Sequence, residues 1–217
     1  MAYFITVEGI DGAGKSTHLE FIQNYLNKKN IQNKLTREPG GTEIGEKLRQ
    51  LLLHDDMDVG TETMMMFAAR HEHLITVIQP ALKSNISIIC DRFTDATYAY
   101  QQGGKGIDKS FIKSLEDLVH PNLTPDLTFL FDLDPDTAHS RISNERNLDK
   151  FEKQSSTFFN GVRKVYLELA KAHSRFHVID SSQTIDQIQQ IISKKLDELV
   201  KGSIGLNNVI LLYLFLT

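Results

Sequence analysis

Residues Val7–Thr17, VEGIDGAGKST, gather three glycines and a lysine into one short stretch, and the fold follows from how they are read. They fit the pattern G-x-x-x-x-G-K-[ST], with Gly9, Gly14, Lys15 and Ser16 in the fixed places. The run AYFITV leading into it reads as a buried strand. KSTHLEFIQNYLNKK reads as a helix with Leu19, Ile22 and Leu26 on one stripe. Strand, glycine loop and helix in that order form an anion site, because the helix points its unpaired N–H groups and positive dipole end back at the loop. Gly9, Ile10, Asp11, Gly12, Ala13, Gly14, Lys15, Ser16 and Thr17 are therefore predicted to wrap the phosphates of a nucleotide such as ATP. Lys15 can reach the β and γ phosphates, and the Ser16 hydroxyl can help to hold Mg²⁺. Asp11 is out of place beside phosphates unless it faces a metal, a sugar hydroxyl or an arginine, so it points to a second ligand. A solvated turn aspartate is the plainer alternative.

Outward from the loop, NKLT, ISIIC, DLTFLFDL and RFHVID read as further strands, and amphipathic stretches lie between them. TEIGEKLRQLLL is one such helix, and TETMMMFAARHEHLITVIQPALK is another, bent near its end by Pro80. Nearly continuous apolar strands separated by helices predict an α/β unit whose parallel sheet is covered on both faces. With no repeat or linker, residues 1–202 read as one domain. Residues 203–217 form an apolar tail, either an added strand, an oligomer contact or an exposed end.

The bulk composition narrows the partners. The chain has 217 residues, 41% hydrophobic and 24% charged, with net charge -4, which argues against wrapping nucleic acid. The lone Cys90 lies in an apolar run and reads as a packed hydrophobe in a reducing compartment. The N-terminus has no basic leader, and the apolar end is too short to span a bilayer, so a cytoplasmic protein with no membrane contact is expected.

Transfer from ATP to a small acceptor needs a second anion site made of arginines, whereas a nucleotide switch does not. Arg37, Arg49, Arg70 and Arg92 are the candidates, each with the plain alternative of a surface ion pair. Arg37 and Arg92 stand out because they follow predicted strands, whose carboxyl ends form the ligand crevice in open α/β sheets. The N-K-x-D stretch of guanine-reading switches is absent.

EGIDGAGKST, TREPGGT, FAARHEH, CDRFTDATYAYQ followed by GGKGID, and PDLTFLFDL together resemble the bacterial thymidylate kinase family, in the same order and at similar intervals. The likeness spans about residues 3 to 200. It implies a P-loop kinase of the nucleoside monophosphate kinase type with a five-stranded parallel sheet, commonly a homodimer, moving the γ phosphoryl of ATP to dTMP with Mg²⁺. By the same resemblance Arg92, Arg37 and Arg49 hold the dTMP phosphate, with Glu38 beside them. Asp11 faces the sugar 3′-hydroxyl, Tyr100 crowds the 2′ position, and Thr97, Gln101 and Arg70 read the thymine edge. An aromatic residue that stacks on thymine in many relatives falls here on Met66, while Phe67 is one place nearer Arg70, so either can make that contact. A lid is implied at about 138–153, with Arg141 and Arg146 closing over the phosphates; an exposed helix of mixed charge is the alternative. Asp91 either orients Arg92, serves Mg²⁺ together with Ser16, or acts as a base, the first being favoured. Rival readings are a kinase for another monophosphate (UMP, CMP or AMP) and a nucleotide switch that transfers nothing.

Overall fold

The computed structural model describes residues 1–142 and 150–214, with side chains described except at 142 and 203–214. Its elements run β1 (Phe4–Glu8), α1 (Lys15–Lys28), β2 (Asn33–Arg37), α2 (Glu43–His54), α3 (Val59–His73), α4 (Gln79–Lys83), β3 (Ser87–Asp91), α5 (Thr94–Thr97), α6 (Lys109–Val119), β4 (Leu127–Asp132), α7 (Pro135–Ile142), α8 (Ser156–Ala172), β5 (Phe176–Asp180) and α9 (Ile185–Leu214). Two π-helical turns, Leu74–Ile78 and Tyr98–Gly104, join α3 to α4 and extend α5. The five strands are all parallel, in the order β2-β3-β1-β4-β5.

Both faces of the sheet are covered. Ile5, Val7 and Ile89 pack with Leu19, Ile22 and Leu26 of α1 and Ile188 and Ile192 of α9. The alternate residues Phe4, Ile88 and Cys90 pack with Leu74, Ile78 and Ala81 on the other side. Every residue of β1 is buried, whereas the edge strands β2 and β5 are partly exposed. That is why only the central strands read as unbroken apolar runs.

Register sets the site. Val7 and Arg37 both lie opposite Asp91, and Glu8 lies opposite Leu130. The chain therefore leaves β1, β2 and β3 at one edge, delivering Gly9, Glu38 and Arg92 together. From β1 it runs to β2 and β3 on one side and to β4 and β5 on the other, so the crevice opens at the switch point.

Two helical expectations change in detail. Pro80 does not simply bend its helix. The backbone widens into the Leu74–Ile78 π turn just before it, which accommodates the missing N–H and the ring's crowding of the preceding turn. At the C-terminus α9 continues to Leu214, so 203–214 prolong the last helix and do not add a strand. No described helix is long and apolar enough to cross a membrane.

Candidate active site

The glycine loop takes the shape its residues require. Gly9 and Gly12 have φ of 135° and 81°, and a Cβ would meet the carbonyl oxygens of Phe131 at 2.4 Å and Ala138 at 2.3 Å. The constraint comes from β4 and α7 as well as from any ligand. α1 begins at Lys15 with no side-chain cap, so its first N–H groups face the loop. Lys15 is buried, and its Nζ donates to the carbonyls of Gly9 and Ile10, both at 2.9 Å. Burial, then the neighbouring Arg92, lowers its pKa, with partial offset from Asp11, Asp91 and Glu8. Ile10 and Ala13 anchor the loop in the core, while Ser16 and Thr17 are exposed.

Asp11 joins this loop to a second group of charges. Arg92 Nη2 donates to Asp11 Oδ1 at 2.9 Å, and Lys15 Nζ lies 3.8 Å from the same oxygen. Desolvation opposes ionisation of Asp11, but Arg92 and Lys15 outweigh it and hold the carboxyl well below the usual carboxylate range. Arg92 also donates to the hydroxyls of Tyr100 at 2.9 Å and Tyr166 at 3.3 Å, and its guanidinium lies 4.8 Å from the Tyr100 ring centroid. Its backbone is left-handed, φ 69°, a costly state for a residue with a Cβ. The turn is clamped by Arg92 N–H to Val7 O at 3.0 Å and Phe93 N–H to Glu8 Oε1 at 2.7 Å. Glu8, fully buried, also accepts from Tyr166 at 2.8 Å. Burial and the nearby Asp95 push it up to about 8.

Beyond Arg92 a cavity of about 730 Å³ opens, lined among others by Asp11, Glu38, Arg49, Met66, Arg70, Thr97, Tyr100 and Gln101. Its far end is polar and buried. Arg70 Nε donates to Glu38 Oε2 at 2.7 Å and Nη2 donates to Thr97 at 3.1 Å, while Nη1 is buried without a hydrogen-bond partner among the described residues. Glu38 is held in turn by His73, whose Nδ1 lies 3.0 Å away. Glu38 and Thr97 thus orient Arg70. Gln101 Nε2 donates to Glu62 Oε1 at 3.1 Å.

The two candidates for the base contact lie in different places. Met66 lines the cavity, whereas Phe67 is buried behind it, with the Arg70 guanidinium 4.7 Å from its ring centroid. Phe93 and Phe151 also line the cavity and were missed by sequence reasoning. Phe93 was legible only as the neighbour of Arg92, and Phe151 only as part of the lid segment.

Arg37 is not brought into the lining. Its side chain is 53% exposed and pairs with Glu46 at 2.9 Å, whereas that of Arg92 is 15% exposed. Arg49 does line the cavity and donates to Pro39 O at 2.9 Å. Asp91 makes no hydrogen bond to Arg92: Asp11 and the two tyrosines take that task, and Asp91 Oδ1 is buried without a partner among the described residues. Arg141 of α7 reaches Gly12 O at 3.4 Å and Ser181 O at 3.3 Å, spanning the glycine loop and the loop after β5. Arg146 lies outside the described residues. Of the segment expected to form a lid, 138–142 belong to α7 and 150–153 line the cavity.

The family model for thymidylate kinase matches residues 7–192. The chain is 52% identical to thymidylate kinase from Janthinobacterium sp. (strain Marseille), over 86% of this chain and 92% of that one. It is 49% identical to thymidylate kinase from Thiobacillus denitrificans, over 90% of this chain and 97% of the other. The crystal structure of thymidylate kinase from Ehrlichia chaffeensis superposes with a TM-score of 0.74 at 36% identity, covering 90% of this chain and 98% of that one. A glycine loop at a helix start, an arginine-lined cavity beside it and relatives of this likeness agree, and the chain belongs to the thymidylate kinase family, as a phosphotransferase of the dTMP kinase type.

Proposed function

We propose that ATP binds on the glycine loop and dTMP in the cavity, their phosphates meeting at Asp11. The observation that carries this is the convergence of Lys15, from the loop, and Arg92, from the cavity, on that one carboxylate. An acceptor phosphate oxygen attacks the γ phosphorus in line, the bond to the β–γ bridging oxygen breaks, and dTDP and ADP leave. Charge spread over the γ oxygens is met by Lys15 and Arg141, and the acceptor phosphate by Arg92 and Arg49. The buried, unpartnered Asp91 Oδ1 and the Ser16 hydroxyl offer the hard oxygen donors that Mg²⁺ takes, the ion neutralising β and γ oxygens when bound.

Hydrogen-bond inventory supports thymine as the base. Glu62 accepts, so the Gln101 amide turns its N–H₂ to it and leaves its carbonyl for the cavity. Arg70 Nη1 is a spare buried donor. One donor and one acceptor suit thymine O4 and N3–H. Cytosine reverses both and would leave buried groups unpaired. Met66 and Phe93 supply apolar contact, and the Tyr100 ring, edge-on to Phe151 and Phe158 at 6.1 and 6.0 Å, closes the sugar end against a 2′-hydroxyl.

A coupled ADP-release assay on a monophosphate panel is expected to give highest kcat/KM for dTMP, then dUMP, with dCMP and AMP lower by about 100-fold or more. Equal use of dCMP would defeat the base assignment.

A further inference from the structure

Glu62 of α3 is fully buried, and the chemistry above uses it only through Gln101. Both its oxygens accept from Lys105 Nζ at 2.7 Å, and Oε2 lies 3.1 Å from Lys150 Nζ. Two lysines thus converge on one buried carboxylate. Lys150 begins the 150–153 turn, all of which lines the acceptor cavity, and its Nζ also donates to Asp55 O at 2.7 Å. Lys105 and Lys150 lie 4.8 and 5.5 Å from the Phe151 ring centroid, and Phe151 meets Tyr100 edge-on. One carboxylate thus ties α3, the Tyr98–Gly104 turn and its Lys105 cap, and the cavity wall at 150–153.

We propose that Glu62 is a positioning residue for the acceptor: it holds the 150–153 turn against the cavity and decides which end of the Gln101 amide faces the base. The second half rests on the base reading above. A charged acceptor such as Glu62 admits one orientation of Gln101, whereas a glutamine in its place offers both donor and acceptor and admits two.

The test compares kcat/KM for dTMP and dCMP in wild type, Glu62→Gln and Lys150→Met, with thermal melting to check folding. Wild-type preference for dTMP tests the base reading; the change in that preference tests Glu62. Glu62→Gln is expected to lower the dTMP-to-dCMP ratio about tenfold. Lys150→Met is expected to raise the KM for dTMP about fivefold, with the ATP KM and the base ratio unmoved. A folded Glu62→Gln protein whose ratio stays within about twofold of wild type overturns the proposal, since a purely structural ion pair would lower activity on both bases alike. Should Glu62→Gln not fold, an unchanged dTMP KM in Lys150→Met overturns it.

Discussion

The two halves of the proposed site are built by different means. The donor side is mostly main chain: a loop whose glycines free the backbone, a helix start with bare N–H groups, and Lys15 folded over them. The acceptor side is mostly side chain, drawn from the β2–α2 connection, α3, the end of β3, the Tyr98–Gly104 turn and residues 150–153. A backbone cradle grips any chain of phosphates, because every residue supplies the same N–H. A side-chain cavity discriminates, since each donor or acceptor must be aimed by another residue, as Glu38 and Thr97 aim Arg70.

The sharpest way to break this division is to remove one cation from each half. Lys15→Met should lower kcat about 100- to 1000-fold with dTMP affinity nearly unchanged. Arg92→Ala should weaken dTMP binding about 100-fold while shifting ATP affinity less than about fivefold. Titrations in which Arg92→Ala weakened both ligands alike would merge the halves into one site.

Glu8 lies at the seam, bonded to the Arg92–Phe93 turn, and burial raises it from the ordinary glutamate value of 4.5 to about 8. Between those values the unfolded chain has lost a proton that the folded chain keeps. Stability contributed by the protonated form is full below the lower value and falls as pH rises toward the upper one, by about 1.4 kcal/mol per pH unit. Glu8→Gln should remove that slope. Urea unfolding from pH 5.5 to 7.5 should show the variant gaining on wild type by about 2–3 kcal/mol, and a gap flat with pH would count against a protonated Glu8.

Arg37→Ala sharpens the acceptor side with the smallest effect. Exposed and paired to Glu46, Arg37 should cost less than about fivefold in dTMP KM. A loss as large as that of Arg92→Ala would mean that Arg37 turns inward when the acceptor binds.

Much of the scaffold was legible because its signals are local. The stripe Leu19, Ile22 and Leu26 is buried as its spacing requires, and the apolar runs of the central strands lie in the middle of the sheet. The site was legible as residue types and less so as directions. Met66 and Phe67 are adjacent on one helix, and only packing against His120 and Arg70 sends Phe67 inward. Asp91 and Arg92 are adjacent too, yet the left-handed turn at Arg92 points its guanidinium at Asp11, leaving the neighbouring carboxylate for other use.

What the amino-acid order determined by itself is the glycine loop at the start of α1 and the parallel α/β plan: both arise from groups within a few residues of one another, where glycine freedom, helix ends and side-chain period act directly. Only the tertiary structure decided which charges meet. Asp11, the Arg92–Tyr100 segment and Tyr166 stand far apart along the chain, and strand register with helix packing brings them within hydrogen-bonding reach. Such contacts have no local signature, because their energy depends on burial, which the whole fold creates.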